Sequence, residues 1–174
     1  NTTDPRGWDN QLKDELTIML TYERKWRRFH KFKAGGLGVD FTPHVGAALG
    51  NVFIHAAAGL TVRIGDDLPN DYGPPRIRPS LPGSDFFVNR DKFGWYLFAG
   101  FEGRLVGRNI FLDGNTFRDS HSVDKRYLVG DFQTGLALTY GRARLAYTYV
   151  FRTKEFRQQD AADQFGSLSL AIRF

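Results

Sequence analysis

A chain of 174 residues is long enough for one domain with a sizeable core or for a small barrel. It has no cysteine, which excludes a disulfide framework and a thiolate zinc site. No apolar run approaches the roughly 18 residues of a membrane-crossing helix, which excludes a helical membrane protein. The net charge of +5 and pI near 9.6 fit nucleic acid, anionic lipid or no particular partner, so the distribution of charge has to decide.

The chain opens on Asn1 and carries no signal peptide, as a processed or truncated form would. Residues 1–14 are polar and broken by Pro5 and Gly7, and read as a lead-in loop or short helix. From Glu15 the pattern switches to period two: Leu16, Ile18, Leu20, Tyr22 and Trp26 share one face of a strand predicted to run to about Phe29. Within it begins the basic and aromatic run Glu23 to Lys33. Nucleic-acid binding would need that charge presented as a groove or helix face. At a strand end it suits a membrane interface instead, with Trp26 and Phe29 at headgroup depth and the cations on phosphates, and no nucleic-acid partner is expected.

The second strand, Leu37 to Ala47, turns Asp40, Thr42 and His44 inward; Pro43 demotes it or marks a bulge. Gly50-Asn51 signals a tight turn. The third, Val52 to Ile64, sets Ile54, Leu60, Val62 and Ile64 against His55, Thr61 and Arg63. Residues 66–91 hold five of the seven prolines and form a long loop of the kind usually functional or disordered. The fourth strand, Phe93 to about Gly107 with a pattern that can continue through Phe111, sets Phe93, Trp95, Leu97, Phe101 and Leu105 against Tyr96, Glu102 and Arg104. The fifth, Tyr127 to Tyr140, sets Leu128, Phe132, Leu136 and Leu138 against Asp131, Gln133 and Thr139.

The last hairpin is the most explicit. Leu145, Tyr147 and Tyr149 alternate with Arg144, Ala146 and Thr148, and the terminal run places Leu168, Leu170, Ile172 and Phe174 on one face. Apolar-out, polar-in alternation over roughly ten residues per strand is what a membrane-spanning β-barrel needs. The fold class is therefore all-β, an antiparallel transmembrane β-barrel forming one domain over 1–174, in the bacterial outer membrane. Leu170, Ile172 and Phe174 are the expected signal for the barrel assembly machinery. Bacterial single-chain barrels have even strand numbers, so the seven long strands predicted here imply an incomplete N-terminal part.

Several stretches read together carry a resemblance: Gly7 to Glu15, Ala48-Leu49-Gly50-Asn51, Arg63-Ile64-Gly65, Asp71 to Pro74, Phe111 to Phe117, Arg152 to Phe156 and the terminal Phe174. The set resembles the lipid A 3′-O-deacylase family of Gram-negative outer membranes. That resemblance implies a twelve-stranded barrel of which this is the C-terminal portion, hydrolysis of the 3′-linked acyloxyacyl ester of lipid A, lipopolysaccharide and outer-membrane lipids as partners, and calcium as cofactor. It also implies a catalytic set (an Asn-Asp pair, a Ser or Thr, a Lys and a His) lying upstream of Gly7. No catalytic residue is then expected in this chain, which by itself should be inactive.

Ester hydrolysis needs a base and an oxyanion-stabilising group. The candidate substrate or lumen residues are Trp8, Gln11, Glu15, His44, His55, Arg63, Glu102, Arg104 and Asp131. A lone inward histidine is more often part of a structural polar network than a catalyst. Asp9, Asp14 and Glu15 with Gln11 offer oxygen ligands for calcium, but their spacing matches no compact calcium loop, and surface solvation is the favoured reading. Two rivals remain: a passive porin-like barrel, whose inward Arg63, Arg104, Arg144 and Arg152 against few inward acids would predict anion preference, and a soluble lipocalin-like barrel, against which strand length argues.

Overall fold

Period-two alternation folds here into a single antiparallel sheet. The computed structural model describes residues 11–66, 68–69 and 90–173. Its elements are β1 (Met19–Lys25), β2 (His30–Ala34), β3 (Leu37–Gly50), β4 (Phe53–Gly65), β5 (Arg90–Asn109), α1 (Ile110–Asp113), β6 (Leu128–Gly141), β7 (Ala143–Arg152) and β8 (Asp163–Ile172). Every neighbour in the order β1-β3-β4-β5-β6-β7-β8 is antiparallel, with β2 also paired to β3. Only hairpin links join them, so the sheet is a pure meander with no crossover.

The predicted first strand is two. β1 pairs with β3 from Met19↔Gly50 to Lys25↔His44, and β2 resumes on the same strand at His30↔Phe41. The two therefore share one lane, and the lanes still number seven. The break at 26–29 is a bulge in which Arg28 takes a left-handed φ of 48°. Pro43 lies opposite it: lacking an N–H it cannot complete a ladder pair, and only its carbonyl is used, accepting from the Trp26 amide at 3.0 Å. The expected continuation of β5 through Phe111 is also corrected. Asn109 caps a single helical turn by accepting from the Phe111 amide at 3.1 Å, and Gly114 ends it at φ 80°.

Burial fixes which side faces what. Leu20, Leu60, Leu97, Phe101, Leu105, Leu128, Phe132, Leu136, Tyr147, Leu168, Leu170 and Ile172 are all exposed. Asp40, His44, Arg63, Glu102, Arg104, Arg144 and Arg152 are buried. A water-soluble barrel would show the reverse, so the lipocalin-like alternative is excluded and the outward face is a hydrocarbon-contacting one.

The turns divide between two ends. Residues 11–18, the Asn51-Val52 turn, the 110–127 connection and the 153–162 connection meet at one rim; the Gly35-Gly36 and Gly141-Arg142 turns, the end of β4, the start of β5 and the end of β8 lie at the other. Trp8 and Phe174 lie outside the described residues, as does most of the 66–91 loop.

Candidate functional site

Inward parity brings five strands' polar groups into one buried ladder. Asp40 on β3 accepts a two-pronged contact from Arg63 on β4, at 2.9 Å from Nε and 2.7 Å from Nη2, with the Arg28 guanidinium 3.8 Å away. Arg63 also donates to the Pro69 carbonyl at 3.2 Å and lies over the Tyr96 ring at 5.4 Å. Deeper along β3, His44 shares a 2.9 Å hydrogen bond with Glu102 on β5, both 2% exposed. Arg104, two residues on, reaches Asp131 on β6 at 2.8 Å, and Arg152 on β7 reaches the other oxygen of Asp131 at 2.7 Å. Glu155 closes the series within 4.0 Å of both arginines.

Space for these groups comes from glycine on the adjacent strand. A Cβ on Gly59 would sit 2.4 Å from His44 Cε1, and one on Gly65 2.6 Å from Tyr96 Cβ. On Gly135 it would meet Phe98 at 2.6 Å.

The predicted inward residues His44, Arg63, Glu102, Arg104 and Asp131 thus do come together. His55 sits farther along β4, half-buried where the bulge at Gly107 of β5 shifts the register, and packs edge-on against Phe53, ring centroids 6.3 Å apart. Gln11 and Glu15 are also elsewhere, at the rim, because residues 11–18 precede the first lane. The inward arginines are nonetheless accompanied by acids: Asp40, Glu102 and Asp131 share the interior with them, and Glu155 stands at its edge. Asp40 was visible at inward parity beside Thr42 and His44, and Glu155 follows Arg152 by three positions, yet neither stood among the candidates.

The rim holds a second constellation. Glu15 accepts from the Thr116 amide at 2.9 Å and from the Phe117 amide at 3.2 Å. Partial desolvation opposes the charge, but hydrogen bonds from the Asn115 side chain and from the Phe117 and Thr116 amides outweigh it and hold the carboxyl below the usual range. Asn115 and the Lys13 backbone exchange two hydrogen bonds, 2.9 and 2.7 Å. Asn51 does the same between Ile18 and Leu16, at 2.8 and 2.7 Å. Arg108 ties the parts together through the Asn51 carbonyl, the Gly114 carbonyl and the Thr116 hydroxyl. Asp113 pairs with Lys125, while the Arg126 amide donates to the Glu155 carbonyl at 2.7 Å. Stretches distant in sequence, 11–18, Asn51, 111–117 and 152–157, are therefore one contiguous clamp. Asn51, Arg108 and Asn115 were missed as candidates; asparagines bordering glycines in turns were their only sequence signal.

Among the described residues no group of three or more His, Asp or Glu is placed to hold a metal ion, and both Glu15 oxygens are engaged by backbone amides. Of the oxygen ligands considered from sequence, Gln11, Asp14 and Glu15 are described and Asp9 lies outside that range.

An apolar-out meander with an ion-paired interior is the wall of an outer-membrane β-barrel. More narrowly, the family model described as outer membrane protein LpxR matches residues 1–174, and the chain belongs to that family, the lipid A deacylase family of outer-membrane proteins. The fold is similar to that of LpxR from Salmonella typhimurium, with a TM-score of 0.75 at 23% sequence identity, covering 96% of this chain and 55% of that one. The chain thus spans about half the length of that structure. No curated protein matches the sequence.

Proposed function

We propose that the full-length protein is a lipid A deacylase that hydrolyses the 3′-linked acyloxyacyl ester, and that this chain contributes barrel wall and rim but no catalytic residue. The observation that carries the reading is the rim clamp. Three of the stretches that carry the family resemblance, Gly7 to Glu15 in its described part, Ala48 to Asn51 and Phe111 to Phe117, are fastened together by Glu15, Asn51, Arg108 and Asn115, as expected of a surface that must hold a loop in register over a site. His44 does not serve as the ester's base, because its ring is enclosed and engaged by Glu102.

The clamp rim is taken as the external one, since two of its three connections between strands are long and irregular, whereas two of the three at the opposite end are tight glycine turns and only the segment joining Gly65 to Arg90 is long. The substrate then reaches it laterally, from the lipopolysaccharide leaflet. At the opposite end, outward Leu170 and Ile172 lead to Phe174, and we assign this strand as the one read by the barrel assembly machinery. The calcium requirement implied by the resemblance belongs to the same proposal, to be tested on the full-length protein with a chelator.

Mass spectrometry of lipid A from cells expressing the full-length gene should show loss of the 3′ acyl groups, and from cells expressing residues 1–174 alone no change. Unaltered lipid A in the presence of a folded full-length barrel overturns the proposal. A passive barrel is the reading that outcome would leave.

A further inference from the structure

The outward face is not uniformly bulky. Across β5 and β6, Gly103 pairs directly with Gly130. A Cβ placed on Gly103 would meet nothing within 4 Å. On one side of this pair lies the row Phe101, Phe132 and Phe151, and on the other Leu105 with Leu128, each in register with its neighbours. The two glycines thus floor a notch in a lipid-facing wall. Thr153 closes it laterally, its hydroxyl accepting from the Gly130 amide at 2.8 Å. The cavity is about 630 Å³.

Its chemistry changes from bottom to top. Phe101, Leu128 and Phe151 supply an apolar bed, whereas Arg126 and Lys154 line the rim end of the same cavity. Neither side chain forms an ion pair among the described residues, while the interior arginines 63, 104 and 152 all do. Two unneutralised cations beside hydrocarbon, at the level where strands give way to loops, present the complement of a phosphate headgroup joined to acyl chains.

We propose that this notch is a docking site for lipid A, held by one phosphate on Arg126 and Lys154 and by an acyl chain over Gly103 and Gly130. It adjoins the 152–157 end of the rim clamp, but the Arg126 and Lys154 side chains make no contact to Glu15, Asn51 or Asn115. The choice of lipid A over phospholipid rests on the external placement of this rim, but the docking itself does not require the hydrolytic reading. Lipid held here would tether lipopolysaccharide to the wall whether or not the enzyme is cutting.

The test uses the full-length protein in detergent and native mass spectrometry, with hexa-acylated bisphosphorylated lipid A, phosphatidylglycerol and inorganic phosphate as separate probes. R126S/K154S and Gly103→Phe should each lower lipid A occupancy about tenfold, the first by removing charge and the second by filling the notch. Leu168→Phe, an added ring elsewhere on the outward face, should leave it unchanged. Heat-modifiable migration verifies that each variant is folded; should Gly103→Phe fail that check, Gly103→Leu replaces it. Undiminished lipid A binding by both folded variants overturns the proposal, as does equal retention of phosphatidylglycerol. Displacement of bound lipid A by millimolar inorganic phosphate alone also overturns it, since that would make the cations a free-anion site. Deacylation by the same preparations is read separately: normal occupancy without hydrolysis refutes the enzyme and spares the dock, and the converse refutes the dock alone.

Discussion

Asp40 accepts from Arg63 through two short bonds while a second guanidinium, that of Arg28, stands close by. Replacing it with Asn keeps the shape and removes the compensating charge, leaving Arg63 buried without its counter-ion. The cost expected for breaking such a pair is about 3–5 kcal/mol. Urea titration of the barrel folded into lipid vesicles should show D40N destabilised by that order, and D40L/R63M should recover most of the loss; a D40N variant as stable as the parent would show that the pair is dispensable. Glu15 gives a pH signature. Its folded-state pKa is depressed below the ordinary value of 4.5, so its contribution is present above that value and is lost as pH falls through the folded pKa. Hydrogen exchange of residues 11–18 should therefore accelerate on acidification below about pH 4.5. In Glu15→Gln exchange should be fast already at neutral pH and insensitive to acid across that window.

At the scale of strands, glycine positions on neighbouring lanes divide into sockets and open floor. Gly59 is a socket: a methyl there would lie 2.2 Å from the Phe101 carbonyl oxygen and 2.4 Å from the His44 ring. Gly59→Ala should cost more than about 2 kcal/mol, the range reached by overpacking. Gly103→Ala, facing open space, should stay within about 0.5 kcal/mol. Similar unfolding midpoints for the two would refute the distinction. The strands themselves were legible in the sequence because lipid and lumen impose opposite chemistries at a period of two, and no competing helical period exists in β3 to β8. Inward parity likewise exposed His44, Arg63, Glu102, Arg104 and Asp131. What the period could not carry was the partner of each. That Glu102 meets His44 follows from a register, fixed by turns and bulges, that sets both directly opposite Gly59 with no side chain between them, and that Glu15 leaves the wall to bind two amides is a contact 101 residues away. The break after Lys25 was hidden for a related reason. Trp26 continues the alternation perfectly well in sequence, and only the demand of Pro43 on the neighbouring strand makes the chain bulge.

For the molecule as a whole, the outward hydrocarbon surface sets its solvent. Leu136 lies mid-wall between Leu97 and Tyr147. Leu136→Arg should reduce stability in bilayers by about 2–4 kcal/mol, read by refolding into lipid vesicles, and an unchanged value would mean that this face does not meet hydrocarbon. The interior has a different consequence. Four of the interior arginines, Arg28, Arg63, Arg104 and Arg152, each lie within 4.0 Å of Asp40, Glu102, Asp131 or Glu155, with Arg144 buried as a fifth. Opposite signs placed within a few ångströms cancel beyond roughly one Debye length, about 8 Å in physiological salt. Around these pairs the bore consequently exerts little long-range pull on dissolved ions of either sign, and the four paired arginines act as struts between lanes in place of a selectivity ring.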